Sequence, residues 1–155
     1  MTHTASVRVS VVVDLDPADA FEVFTNEIDS WYRRGPHSFA DPARAVGIRF
    51  EPGAGGRLVE VYDKQTGEGR TVGEVTVWDQ GRRLVFVDSY QTEIEVTFLV
   101  EGEATRVVLE HRGLERLRPD LADRHGLFGG RLLLAWFAEY NKHPPRTVNT
   151  ERIRP

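Results

Sequence analysis

Asp88 closes the run RLVFVD and His111 closes the run TRVVLEH. Side chains alternate along a strand, so Leu84, Phe86 and Asp88 share one face, as do Thr105, Val107, Leu109 and His111. In each case an apolar row ends in a group able to exchange a proton. A carboxylate buried without a partner is costly, so Asp88 on such a row needs a donor. His111 is one candidate; Arg57, Tyr90 and Arg131 are the others. Asp88 and His111 touching one ligand would be a catalytic pair, general acid and base acting on a carbonyl compound. The plainer alternatives are an aspartate facing water beside Ser89 and a strand-end histidine bonded to backbone or water.

Other chemistries find little support. The chain has 155 residues, with 20 Lys and Arg against 24 Asp and Glu and a formal charge of -4, so no basic excess exists to neutralise a phosphate backbone and nucleic acid is not expected as a partner. Zero cysteines remove disulfides, thiolate catalysis and cysteine-ligated metal clusters. The five histidines form no HExxH pattern or close pair, so neither a metal nor another cofactor is expected. GAGG at 53–56 follows Pro52 and precedes no Lys-Ser or Lys-Thr, which makes it a turn and not a phosphate loop, and no Gly-x-Ser-x-Gly elbow occurs. The N-terminal stretch lacks the features of a signal peptide and no window is apolar enough to span a bilayer, so a cytoplasmic protein without membrane insertion is expected.

The elements that must hold Asp88 and His111 are legible from periodicity. Val7, Val9, Val11 and Val13 alternate as a strand does. Asp16 is a good N-cap and Pro17 a good first helical residue, and Phe21, Phe24, Ile28 and Trp31 follow at spacings of three and four, predicting one helix or two short ones. YRRGPHSFADPA reads as a loop. From Arg44 onward the pattern is repeatedly β, with turns at 51–56, 63–70 and Gln80-Gly81, and EGEA as a hairpin loop; short turns imply an antiparallel meander. After Pro119 the period becomes helical again, predicting a C-terminal helix of about 20 residues whose stripe holds Phe128, Leu132, Ala135 and Ala138, with Leu127, Leu134 and Phe137 alongside. A single domain over 1–141 and a basic, proline-containing tail over 142–155 are expected, the tail being a candidate homodimer contact.

The segments DPADAFEVFTNEIDSWYRRG, EPGAGGRLVEV, GEVTVWDQGRRLVFV and EVTFLVEGEATRVVLEHRGLERL, in that order, resemble the bacterial branch of the heat-shock-chaperone ATPase activator-like family, within the START, helix-grip or SRPBCC superfamily. The resemblance runs over roughly residues 7–140. It implies an α+β helix-grip fold: a curved seven-stranded antiparallel sheet wrapped around a long C-terminal helix, with a cavity between them and two short helices after the first strand. The superfamily hosts carriers, receptors, aromatases and chaperone regulators on one scaffold, so fold alone does not select a function. This chain departs from the usual pattern at Asp88, where relatives often carry an aromatic residue, and at Leu127-Phe128-Gly129-Gly130, where many have Gly-Trp.

A cavity in that fold would draw its ligand contacts from Trp31, Phe128 and Trp136, which flank the loop and the last helix, and from the polar groups Arg57, Tyr90 and Arg131. His37 and Phe39 lie in the Gly-Pro-rich loop, where they would touch a ligand or be solvated. The expected function is enclosure of a hydrophobic or aromatic small molecule. The alternatives are a polyketide aromatase, cyclase or hydrolase-like enzyme using Asp88 and His111, and a chaperone ATPase regulator.

Overall fold

The structure is a computed structural model that describes residues 6–33, 38–117 and 130–142. Strand β1 (Ser6–Val13) leads into α1 (Pro17–Asn26) and a single-turn α2 (Ile28–Trp31). Six strands follow: β2 (Gly47–Phe50), β3 (Arg57–Val61), β4 (Gly69–Asp79), β5 (Arg83–Asp88), β6 (Glu93–Glu101) and β7 (Ala104–Arg112), and then α3 (Gly130–Lys142). The strands form one antiparallel sheet in the order β1-β7-β6-β5-β4-β3-β2. Strands β2 to β7 therefore form a meander, and β7 pairs with β1, leaving β1 and β2 at the two edges. Among the described residues no helix is long and apolar enough to cross a membrane.

Local chemistry accounts for the helix start. The Asp16 side chain accepts from the Asp19 amide at 2.8 Å and Pro17 takes the first position, satisfying one of the orphan amides of α1. The helix then buries Ala20, Phe21, Val23, Phe24 and Thr25 against the sheet. The sheet's inner face presents Leu84 and Phe86 from β5, Ile94, Val96 and Phe98 from β6, and Val107 and Leu109 from β7. Phe24 is the hub: its ring lies 5.0 Å from Trp31, 5.2 Å from Phe137 and 5.9 Å from Phe98, edge-on or tilted in each case. Such pairs contribute ~0.5–1.5 kcal/mol each beyond the burial of their area.

The last helix buries the flank of the stripe that its periodicity predicts. Leu134 and Phe137, expected alongside that stripe, are buried together with Asn141, Ala138 is partly buried and Ala135 is exposed, so the inward face leans toward the larger side chains. Alanine has little area to offer a core, and where Leu and Phe stand at adjacent positions the greater burial decides the rotation. The predicted start of this helix, with Phe128 and Gly129, lies outside the described residues, as does the tail from 143 onward. Helix α3 packs on β1, β7 and α2.

The opposite face of the sheet carries charge. Arg112 binds Glu93 and Glu95, each at 2.8 Å, and Arg83 binds Glu95 at 2.5 Å. The side-chain alternation that turns His111 inward thus places Arg112 in this outer ladder.

Candidate functional site

The five residues from Asp88 to Thr92 turn β5 into β6. Ser89 is tied back to β4 by a 3.1 Å bond to the Val72 carbonyl, and the Asp88 amide donates to the Thr92 carbonyl at 3.0 Å. Asp88 Oδ1 accepts from the amides of Tyr90 and Thr92, both at 3.0 Å, an arrangement that lets an aspartate side chain stand in for backbone partners in a turn. Gln91 closes the turn with φ of +66°, a left-handed conformation that costs an L-residue energy but redirects the chain. That redirection brings the Thr92 side chain back over Asp88.

Thr92 is fully buried, and its hydroxyl donates to Asp88 Oδ2 at 2.7 Å. The same oxygen stands 2.7 Å from Nε2 of His111, which is only 5% exposed. A carboxylate, a hydroxyl and an imidazole thus form one continuous chain. It lies at the end of the apolar row Val107, Leu109, His111, and the neighbours of His111 across the sheet are Val7 and Ile94. Thr105 ends the same row at the other side, where its hydroxyl is spent on the Leu15 carbonyl at 2.8 Å. Buried polar groups of this kind strengthen one another in a low-dielectric interior and can pass or hold a proton.

Sequence reasoning places Asp88 and His111 on inward rows, and the structure brings them together, but through Thr92. That residue was not singled out. A signal for it exists in DSYQT, where an aspartate at a strand end precedes a threonine by four residues, the span over which side chain and turn can meet.

Arg57 stands apart from this chain. It is bound to Glu51 through two nitrogens, at 2.9 and 2.5 Å, and leaves the face of β3 opposite to Leu58, whose row includes Gly73 and Asp88. The Arg57 guanidinium holds the Glu51 carboxyl down at about 2. Tyr90 is 47% exposed on the turn, and only its amide meets Asp88 among the bonds described. Trp31 is 1% exposed; its Nε1 donates to the Val23 carbonyl at 3.1 Å and its ring packs on Phe24 and Phe137, a core position. His37, Phe128 and the side chain of Arg131 lie outside the described residues.

Phe39 and Trp136 meet at a second cluster. Both rings stand edge-on to Tyr32 at 5.5 Å, so Tyr32 joins the loop after α2 to α3. The Tyr32 hydroxyl donates to the Ser38 carbonyl at 2.5 Å, and burial, reinforced by the negative charge of Glu60, pushes its pKa up to about 12. Glu60, 2% exposed, accepts from the amides of Ala40 and Asp41 at 2.7 and 2.9 Å and from the Tyr62 hydroxyl at 2.8 Å. This buried carboxylate, also missed by sequence reasoning, fixes the loop that carries Phe39. Among the described residues no group of three His, Asp or Glu side chains is arranged to hold a metal ion.

A curved antiparallel sheet with its C-terminal helix on the inner face is the helix-grip architecture. Among solved structures, the anthrahydroquino-γ-pyrone synthase Txn09 is 32% identical, with 86% of this chain and 95% of that one covered and a TM-score of 0.58. The protein therefore belongs to the family of that synthase within the SRPBCC, or helix-grip, superfamily. The AHSA1-like protein from Aeromonas hydrophila shares the fold at 17% identity and a TM-score of 0.62, over 94% of this chain and 99% of its own. So does the Aha1 dimer from Colwellia psychrerythraea, at 11% identity and 0.57, over 88% and 95%. No family model and no curated protein sequence matches the chain.

Proposed function

We propose that the protein encloses an aromatic, polyketide-type small molecule between its sheet and α3, and that the Asp88–Thr92–His111 chain orients it. The observation that carries this reading is the polar chain itself, placed at the end of an otherwise apolar inner row. Ligand sites combine apolar walls with a few fixed polar groups, and here Thr92 and Asp88 hold the imidazole in place. Phe39 and Trp136 supply aromatic wall at the seam between loop and helix.

A second reading follows from the synthase, whose name describes formation of a fused pyrone. In that reading the protein is a ring-forming enzyme, and the same chain moves a proton on the bound molecule. The dimeric relative makes a homodimer the assembly to look for. Native mass spectrometry of the protein mixed with a hydroxyanthraquinone tests enclosure. A one-to-one complex that His111→Phe weakens is the expected result; absence of any complex with this and related fused phenols would overturn the reading.

A further inference from the structure

We propose that Arg112, on the outer face of β7, is a positioning residue for the inner polar chain: by gripping three carboxylates it holds the ends of β6 and β7 in the alignment that lets Thr92 reach His111. The consequence for a bound molecule rests on the function proposed above; the coupling between the two faces does not.

Strands β6 and β7 form a hairpin closed by the pair Glu101 and Ala104, and Glu93 with Arg112 is the pair farthest from that turn. Arg112 also faces Ser6, the first residue of β1, so both ladders of β7 end at the same residue. Terminal pairs are where a ladder opens most readily. The bond between Thr92 and His111 lies at this open end, and it is diagonal: Ile94, not Thr92, stands directly opposite His111. Such a contact is sensitive to alignment, because a slip of one residue turns a side chain to the other face.

Charge on the outer face would push this end apart without Arg112. Glu95 and Glu110 stand directly opposite each other, a like-charged cross-strand pair that is unfavourable by itself. The guanidinium resolves the conflict. Its Nη1 donates to Glu95 at 2.8 Å and lies 3.5 Å from Glu110, while Nε and Nη2 both donate to Glu93, at 3.1 and 2.8 Å. Glu93 and Arg112 are the chain neighbours of Thr92 and His111, so the outer clamp and the inner bond are two sides of one strand junction. The side chains of Arg112 and Glu93 are 32% and 42% exposed, which opens the clamp to screening by salt. The buried bond thereby acquires a dependence on ionic strength that its own burial would deny it.

Proton–nitrogen correlation spectra of the imidazoles follow the inner bond, with Thr92→Val marking where the His111 signals lie once the hydroxyl is gone. Arg112→Met keeps the aliphatic stem and removes the charge. It should move the His111 signals toward their Thr92→Val positions, and Glu110→Gln added to it should bring them part of the way back. Arg106→Met, which breaks the bonds to Glu101 and Ser10 on the same face of β7 near the hairpin turn, should leave them in place. Added salt should shift the His111 signals of wild type and not those of Arg112→Met. If Arg112→Met does not fold, Glu93→Gln reads the same displacement at smaller amplitude. Signals unmoved by both variants, or moved equally by Arg106→Met, would overturn the inference. The readout uses no ligand, so a ring that responds to Arg112 in a protein that takes up no hydroxyanthraquinone would remove the proposed function alone.

Discussion

Thr92 and His111, 19 residues apart in sequence, share a buried 2.7 Å hydrogen bond that joins the β5–β6 turn to the end of β7. The bond depends on both elements, since Thr92 reaches inward only because the turn folds its hydroxyl over Asp88. Stability and site geometry are therefore linked at this point.

Thr92→Val removes the shared hydroxyl and leaves Asp88 Oδ2 and His111 Nε2 without it in a buried setting. The expected cost is about 1–3 kcal/mol, the range for a buried polar group deprived of its partner, and Thr92→Ser should recover most of it. Urea unfolding of the three proteins measures the difference; equal midpoints for wild type and valine variant would mean the hydroxyl contributes nothing.

Gln91 tests the turn. At φ of +66° a β-branched residue is strained, so Gln91→Val should destabilise by ~1 kcal/mol or more, whereas Gln91→Gly should stay within about 1 kcal/mol of wild type. Thermal unfolding ranks the pair, and the reverse ranking would show that the turn does not adopt this conformation in solution.

Glu60→Ala strips the partner from the amides of Ala40 and Asp41 and from the Tyr62 hydroxyl. Loss of a buried carboxylate that receives three donors should cost ~2 kcal/mol or more. Hydrogen exchange at the amides of Ala40 and Asp41 should accelerate more than at the strand amides of β6; uniform acceleration would assign Glu60 to global stability and not to the loop.

Glu51 provides a pH signature. Its hydrogen bonds with Arg57 depress its carboxyl to about 2 from an ordinary 4.5. A depressed folded-state value contributes stability that is present above the unfolded value and is lost as pH falls from about 4.5 through about 2. Carboxyl-carbon titration should find Glu51 near the lower value in wild type and near the ordinary one in Arg57→Ala. A titration unmoved by the substitution would refute the pairing.

Periodicity carried most of the fold. Alternation at Val7 to Val13, the Asp16-Pro17 helix start and the short turns between β-like runs lead to the observed sheet and helices, because each rests on neighbours in sequence. The site was half legible. Asp88 and His111 stood out as polar residues ending apolar rows, but their meeting through Thr92 depends on a turn conformation that a glutamine at positive φ does not advertise. Glu60 escaped notice for a similar reason: EVYD looks like an ordinary strand end, and only the tertiary approach of the loop at Ala40 and Asp41 makes its carboxylate a buried anchor. Trp31 shows the converse, a large aromatic beside a loop that the core absorbs completely.

The most direct test of the account compares a hydroxyanthraquinone with its methyl ether by fluorescence titration against wild type and His111→Phe. If the Asp88–Thr92–His111 chain orients an enclosed phenol, the hydroxyl compound should bind wild type about tenfold more tightly, a difference of ~1.4 kcal/mol, and the gap should close in the variant. Equal affinity of the two compounds for wild type, or binding of neither, would contradict it.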